Sequence, residues 1–351
     1  MFPMRVVAIV EFLRTCGEIG GTSSASDRST KLRMIRKAFE GMNPWLQAVF
    51  FGSMILTGMA VAVFVGMVIV SGANGISFEE ALNVAGRPSS DAGFQANIVV
   101  NGLNQLIAFG GAALLFAALF GRARLDGMGL RRPQGALWAW LGLAALGTLS
   151  ATPVLDLTHR LNQWLMGALP ESMRLLADHY EALAAETTEA LLTRPGMGAT
   201  WAVLVAVAVL PGLCEELAFR SVFQPIFVRS TRRLHVGIWL GAAIFSAIHM
   251  QFHGFLPRMF IGAGLGYLVV WSGSIWPAVM AHFVNNAGTV VQAKLYGKEW
   301  IQQEMNASGP WEAQDFGLAA ACAVGLVVTW WAMRRLANWS EAAKRYVERV
   351  Q

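Results

Sequence analysis

Long apolar runs constrain the fold of this chain more than any other feature of its sequence. A helix that crosses a bilayer of about 30 Å needs roughly 20 predominantly apolar residues. Runs of that kind occur near 45–71, 97–120, 135–155, 198–228, 236–253, 255–272, 275–295 and 315–336. Backbone polar groups in lipid are satisfied only inside helices or closed barrels. The sequence therefore predicts an all-α fold, a polytopic transmembrane helical bundle with about eight spans.

Composition agrees with a membrane protein and argues against other classes. Hydrophobic residues make up 55% of the 351 residues and charged residues 14%, which is outside the range of ordinary soluble domains. The net charge is +5, but the basic residues are scattered among short loops, so nucleic acid is not an expected partner. Cys16, Cys214 and Cys322 lie far apart, and neither a disulfide framework nor a thiolate metal site is indicated.

Charges in the loops predict the orientation of the chain. Lys and Arg precede the first run and follow the second, fourth and eighth, whereas the loops at 72–96 and 156–196 are acidic. Positive loops stay on the cytoplasmic side. We expect an integral protein of the bacterial cytoplasmic (inner) membrane with both termini cytoplasmic and with 156–196 outside as one or two surface helices. Residues 1–43 are expected to form an amphipathic N-terminal helix and a flexible basic arm.

Three ionisable side chains interrupt the fourth run, at Glu215, Glu216 and Arg220. A charge at the centre of a membrane helix costs roughly 2.5 to 3.5 kcal/mol, so the three together cost on the order of 8 to 10 kcal/mol. Such residues persist only where they face protein or trapped water. They are treated as a candidate functional site for that reason.

Spacing separates the roles of these three residues. Glu216 and Arg220 are four apart, so they can pair on one helical face. Glu215 points about 100° away from Glu216 and is left as the free carboxylate. A carboxylate in a poorly solvated pocket suits a general base that takes a proton from water and later returns it. The alternative is a buried packing network without chemistry.

Two later runs supply partners for a base. Phe245 and His249 lie in the segment IFSAIHM, and His282 and Asn286 lie in PAVMAHFVNNAG. His282 and Asn286 are four apart, so their side chains can direct two donors at one point, as an oxyanion hole requires. A single histidine in an apolar helix is more often a hydrogen-bonded structural residue. The combination with the buried glutamates favours a catalytic site.

Glu215-Glu216-Leu-Ala-Phe-Arg220, then Phe245-xxx-His249, then His282-xxx-Asn286 resemble the three motifs of the CAAX-prenyl-protease and bacteriocin-processing family of intramembrane endopeptidases. The resemblance implies that Glu215 and His249 activate water and that His282 and Asn286 stabilise the oxyanion. Glu216 and Arg220 become supporting residues. Ser221 departs from the glycine that the family commonly has after the arginine.

The resemblance divides the chain into four parts. Residues 1–43 are the N-terminal helix and arm, and 44–134 hold the first two transmembrane helices. The intramembrane protease core is expected at 135–295. The last transmembrane helix and a basic cytoplasmic tail occupy 296–351.

The reaction implied is hydrolysis of a peptide bond near the membrane, with a peptide or membrane-protein substrate and the lipid bilayer as partners. No cofactor is required by this mechanism. Zinc is possible, because Glu215, His249 and His282 would make a His/His/carboxylate set. The sequence has no HExxH motif and Asn286 is a poor zinc ligand, so the metal-free glutamate mechanism is favoured.

Two other functions fit part of the pattern. A proton-coupled transporter of small solutes could use the same charges as a relay, although no internal repeat of the transporter kind is evident. A non-catalytic membrane immunity or scaffold protein could retain the pocket. The oligomeric state and the identity of the substrate are left open.

Several polar and small residues receive lesser roles. Asn101, Asn104 and Gln105 in the second span are expected to form interhelical hydrogen bonds, with lining of a cavity as the alternative. Gly262 and Gly266 have the GxxxG spacing of close helix packing. His159, His179 and His235 are expected in or beside loops, without a role.

Overall fold

The computed structural model describes residues 41–120, 127–306 and 313–350, and this part of the chain contains helices and no strand. The all-α class is confirmed. The predicted N-terminal amphipathic helix and most of the arm lie outside the described residues. Two of the four arginines in the loop after the second span, Arg122 and Arg124, lie outside them too.

Eleven helices account for the described residues in chain order. They are α1 Pro44–Asn74, α2 Phe78–Ala85, α3 Asp91–Leu119, α4 Leu137–Gly167, α5 Glu171–Thr193, α6 Met197–Thr231, α7 Leu234–Ala247, α8 Phe255–Ser272, α9 Trp276–Asn306, α10 Ala313–Leu336 and α11 Trp339–Val350.

Local sequence signals set several helix ends. The Asn43 side chain accepts a hydrogen bond from the Trp45 amide at the start of α1, and Ser77 does the same for Glu80 at the start of α2. Helices α1 and α8 both end at a glycine with positive φ, Gly75 at 65° and Gly273 at 69°. Glycine adopts that left-handed conformation without steric cost.

Six helices, α1, α3, α4, α6, α8 with the turn before it, and α10, are long and apolar enough to cross a membrane. The other two predicted spans are helices as well. Helix α7 has 14 residues, which is about 21 Å and shorter than the hydrocarbon core. Helix α9 is interrupted by a kink at Gly297, where φ is 74°, and its longer first part carries His282, Asn285 and Lys294.

Two predicted boundaries are wrong. The fifth span, placed at 236–253, ends at Ala247, because the chain turns at Ile248 and His249 and Met250 has a φ of 56°. The segment 156–196, predicted as surface helices, begins as the last turns of α4. Helix α4 continues past Pro153 to Gly167 and is followed by α5.

Large apolar side chains cover the outer surface of the spanning helices. Leu56 and Phe64 on α1 are 66% and 60% exposed, and Val324 on α10 is 63% exposed. Exposed apolar patches of this extent are rare on soluble monomers and mark contact with a membrane or a partner. Together with the six long apolar helices, they identify the chain as an integral membrane protein.

Helix α6 lies in the middle of the bundle, where it packs against α1, α3, α7 and α9. Its phenylalanines Phe219, Phe223 and Phe227 form a row of rings in contact with one another and with Phe51 of α1. Helix α4 packs against α8, α9 and α10 on the other side of the bundle. The ionisable residues of α6 are therefore enclosed by protein.

Three wide turns interrupt these helices with the i to i+5 pattern of a π-helix, at Asn104–Gly111 in α3 and at Leu204–Val209 and Phe219–Phe223 in α6. Such turns are uncommon and are frequent at functional sites. Pro211, which has no N–H for the Val207 carbonyl four residues earlier, explains the first wide turn of α6. The two wide turns of α6 flank Glu215 and Glu216.

The predicted packing role of the glycines in α8 is confirmed. A methyl group at Gly262 would lie 3.2 Å from Ala242 and from Phe245, and one at Gly266 would lie 2.6 Å from the Gln224 side chain. Helices α6, α7 and α8 approach each other closely because these positions lack side chains.

Gly58 provides a test of the packing between α1 and α3. A methyl group at Gly58 would lie 2.7 Å from Ala108 Cα, whereas one at Gly52 on the same helix has no neighbour within 4 Å. We expect Gly58→Ala to lower the free energy of unfolding in detergent by about 1–3 kcal/mol relative to Gly52→Ala, since overpacking forces the backbones apart. Equal stability of the two variants in a denaturation series would contradict this packing.

Candidate active site

Gly212 of α6 lets two helices meet at the glutamate pair. A methyl group at this position would lie 3.3 Å from the Phe283 amide nitrogen and 3.4 Å from the Val279 carbonyl oxygen of α9. The backbones of α6 and α9 are therefore nearly in contact one turn before Glu215 and Glu216. This close approach brings His282 of α9 to both carboxylates.

Glu216 is the charged centre of a buried network. It is fully buried, and its Oε1 lies 2.9 Å from His282 Nδ1 and 3.0 Å from Arg220 Nη1. The arginine contact is an ion pair whose geometry is not that of an aligned hydrogen bond. Arg220 also donates through Nη2 to the Gly262 carbonyl at 3.0 Å. The predicted pairing of Glu216 with Arg220 is present.

Glu215 has a different environment from its neighbour. Its Oε1 accepts a hydrogen bond of 2.8 Å from Gln105 Nε2 of α3. Its Oε2 lies 3.8 Å from His282 Nε2, which is beyond a direct hydrogen bond, and has no other hydrogen-bond partner among the described residues. His282 thus lies between two carboxylates, bonded to one and facing the other. Gln105 forms the interhelical hydrogen bond expected of it.

His249 joins this group from the turn after α7. The Phe245 ring contacts both His249 and His282, with centroid distances of 5.1 Å and 5.8 Å. His249 lies within electrostatic range of Glu215 and His282, and its Nδ1 is 2.8 Å from the Phe245 carbonyl. If Nδ1 is protonated and donates a hydrogen bond to that carbonyl, Nε2 of the neutral ring has no proton and can accept a hydrogen bond.

Asn162 of α4 holds the segment that follows His249. Its amide nitrogen donates to the carbonyls of Phe252 and His253 at 2.9 Å and 2.7 Å, and its oxygen accepts from the Leu256 amide at 3.1 Å. Asn162 is itself buried. Asn162 thus ties three residues of the turn between α7 and α8 to α4.

Asn286 lies one helical turn after His282. Its Nδ2 donates at 2.9 Å to the Val207 carbonyl, which Pro211 leaves without its usual helical donor. Its Oδ1 accepts a hydrogen bond of 3.1 Å from Asn285 Nδ2. An amide nitrogen has two N–H groups, so one donor of Asn286 is not used by Val207.

A cavity of about 700 Å³ lies beside these residues, between α4, α5, α8 and α9. Apolar side chains such as Leu149, Ile261 and Phe283 line part of it. The polar lining residues are Thr148, Thr152, Asp156, His159, Glu181, Thr188, Gln251, Arg258, Asn285, Thr289 and Gln292. One hydrogen bond connects the cavity lining to the catalytic candidates, from Asn285 to Asn286. Arg258, which also lines the cavity, lies within electrostatic range of His249.

The sequence did not identify this cavity. His159 was expected in or beside a loop, but it lies within α4 and lines the cavity. Asp156, Thr152 and Thr148 recur with His159 at helical spacing on one face of α4, which is the signal that was available in the sequence. Glu181 and Arg258 come from separate elements and had no common pattern.

The alternative zinc ligands Glu215, His249 and His282 do not form a group that fits a metal ion. The same holds for every set of three His, Cys, Asp or Glu side chains in the described part of the chain.

Residues 197–288 match the family model of the Rce1-like type II CAAX prenyl endopeptidases. The family resemblance is confirmed for this segment. It contains Glu215, Glu216, Arg220, His249, His282 and Asn286, whereas Gln105 and the α4 and α5 walls of the cavity lie outside it.

The chain is also similar to the uncharacterized protein YpbD of Bacillus subtilis (strain 168). The two are 27% identical over 96 residues, which is 26% of this chain and 46% of YpbD. The chain therefore spans about half the length of this curated relative. No solved structure matches the chain.

The buried pair of Glu216 and Arg220 gives a stability test. Removing one partner leaves an uncompensated charge at a site that is at most 3% exposed. We expect Arg220→Met to lower the free energy of unfolding by about 3–5 kcal/mol. The double variant Glu216→Gln with Arg220→Met should lose less than Arg220→Met alone, because Glu216 is then no longer an unpaired charge. A denaturation series in detergent measures both, and a loss in the double variant as large as in Arg220→Met or larger would rule out the coupling.

Proposed function

We propose that this protein is an intramembrane endopeptidase of the CAAX type, in which Glu215 activates water for attack on a peptide carbonyl. The observation that carries the proposal is the position of Glu215 Oε2. This buried oxygen faces His282 Nε2 at 3.8 Å and has no hydrogen-bond partner among the described residues. Because no protein donor occupies this oxygen, it is the acceptor to which an attacking water would donate.

In this mechanism Glu215 takes a proton from the bound water as the oxygen attacks the carbonyl. His249 lies within electrostatic range of Glu215 and supplies the second group that orients the water. The proton returns from the Glu215 and His249 pair to the leaving amine. The carboxylate and the imidazole are both regenerated at the end of the cycle.

His282 and Asn286 are proposed to hold the oxyanion. His282 contacts Glu216 through Nδ1, so Nε2 donates to the oxyanion only when the ring carries both protons. The carboxylates of Glu216 and Glu215 lie on its two sides. Asn286 contributes the N–H that Val207 does not use. Glu216 and Arg220 hold His282 in place and do not touch the substrate.

The substrate is proposed to bind in the cavity between α4, α5, α8 and α9, as a peptide or a segment of a membrane protein. The mixed apolar and polar lining suits a peptide backbone with apolar side chains. We also propose that the chain resides in the bacterial cytoplasmic membrane with both termini cytoplasmic. The transporter and scaffold alternatives have no observation in their favour.

Glu215→Gln is the direct test of the proposed activity. The N-termini of the membrane proteome are labelled in cells that contain either the wild-type protein or the Glu215→Gln variant. We expect new N-termini with the wild-type protein and a loss of at least about 10³-fold in their rate of formation with the variant, since the base is removed. Glu341→Gln on the exposed face of α11 is the matched control.

Identical N-termini in both strains, with both proteins folded in the membrane, would exclude the protease function. A separate assay tests whether activity depends on a metal. A zinc chelator is added to the purified protein together with a peptide that the protein cleaves. We expect no loss of activity. Loss that zinc restores would favour the Glu215, His249 and His282 ligand set instead.

A second test addresses the substrate cavity. Gly288 lines it and has open space where a side chain would begin, and Gly264 on α8 has the same open space outside it. We expect Gly288→Leu to lower kcat/KM at least about tenfold, equivalent to about 1.4 kcal/mol, mainly through KM. Gly264→Leu should leave both constants near wild type. Equal kinetics of the two variants would place substrate binding elsewhere.

A further inference from the structure

Gln105 is the residue outside the matched segment that touches the proposed base. It lies in the π turn Asn104–Gly111 of α3 and is buried, and its Nε2 donates to Glu215 Oε1 at 2.8 Å. Among the described side chains, this is the one hydrogen bond that Glu215 receives. The expectation of an interhelical hydrogen bond did not specify its partner.

The burial of Gln105 is difficult to explain by packing alone. Its own Oε1 is buried and has no hydrogen-bond partner among the described residues. An unsatisfied buried amide oxygen destabilises the fold, and an apolar residue of similar volume would avoid that cost. The hydrogen bond to Glu215 is the contact that the amide makes and that an apolar residue would not make.

The geometry of the contact determines which carboxylate oxygen is available. A bond from Gln105 to Oε1 fixes the rotation of the Glu215 carboxylate, so Oε2 faces His282 Nε2. An amide N–H donates without exchanging a proton at neutral pH. Gln105 therefore orients the Glu215 carboxylate without competing for the proton that the reaction transfers.

The other groups around Glu215 carry charges or can acquire them. Glu216, Arg220 and Cys214 lie on the same helix, His282 faces Glu215 from α9, and His249 faces it from the turn after α7. Helix α3 contributes the neutral amide of Gln105. A change at Gln105 thus alters the Glu215 carboxylate while the charged groups stay in place.

We propose that Gln105 is a positioning residue of the peptidase, which orients the Glu215 carboxylate for proton abstraction from water. This inference rests on the proposed function. It assigns a role in the site to α3, a helix that none of the three motifs includes.

The test compares Gln105→Leu and Gln105→Glu with Asn101→Leu as the matched control. Asn101 lies one turn earlier on α3, and its amide donates to the Asn97 carbonyl of its own helix. Kinetics are measured across a pH series on a peptide that the wild-type protein cleaves in the labelling experiment. The melting temperature of each purified variant is recorded in parallel.

We expect Gln105→Leu to lower kcat by about 10- to 100-fold with little change in KM, because the base is misplaced rather than removed. The acidic limb of its kcat profile should move to higher pH, since the ionised carboxylate loses its donor. In Gln105→Glu two carboxyl groups within hydrogen-bond distance share a proton, so the acidic limb should move further and the rate should recover at alkaline pH. Asn101→Leu should keep the wild-type profile.

A purely packing role would shift the melting temperature and leave the pH profile unchanged. A folded Gln105→Leu variant with wild-type kcat and pH profile overturns the inference. If Gln105→Leu does not fold, the isosteric Gln105→Glu variant decides. The inference is overturned if the acidic limb of its kcat profile lies at the wild-type pH. Both results leave the proposed function standing when Glu215→Gln is inactive. An active Glu215→Gln variant overturns the proposed function and this inference together.

Discussion

The structure depends on how two adjacent carboxylates are kept inside an apolar bundle. Glu216 is compensated by Arg220 and His282, and Glu215 by Gln105 on one oxygen. Unpaired charges at this depth would cost several kcal/mol each. Helices α3, α6, α8 and α9 must meet at one point to provide these partners. The arrangement of the central helices follows from that requirement.

The same requirement separates the functions of the two glutamates. Glu216 contacts a cation on one side and an imidazole on the other, so it acts as a fixed charge. Glu215 keeps one oxygen without a protein partner among the described residues, and the proposed mechanism assigns that oxygen to the water. Sequence spacing predicted the pairing of Glu216 with Arg220, because residues four apart on a helix can pair.

Sequence reasoning succeeded where the information is local. Apolar runs predicted the helices, and the i, i+4 spacing predicted the pair of Glu216 and Arg220. It failed where the position of a residue depends on a turn or on a contact between distant parts of the chain. His249 lies in a turn rather than on a helix, because Met250 adopts a positive φ. The partner of Gln105 lies 110 residues away, and no local pattern specifies such a contact.

The cavity illustrates the same limit. Its walls come from four helices, and the polar face of α4 that includes His159 has meaning only once α5, α8 and α9 enclose it. Because 156–196 was interpreted as a surface segment, the polar face of α4 was not recognised as part of a cavity. The wide turns in α3 and α6 were not predicted either. Pro211 was a visible signal for one of them, through the carbonyl that it leaves to Asn286.

The proposed mechanism has water, activated by Glu215, cleave the peptide bond directly. Single-turnover cleavage in water labelled with heavy oxygen tests it, with mass spectrometry of both the peptide product and the protein. The account predicts that the label appears in the new carboxyl terminus of the product and is absent from the Glu215 side chain. Label in Glu215, or cleavage that persists in Glu215→Gln, would contradict it.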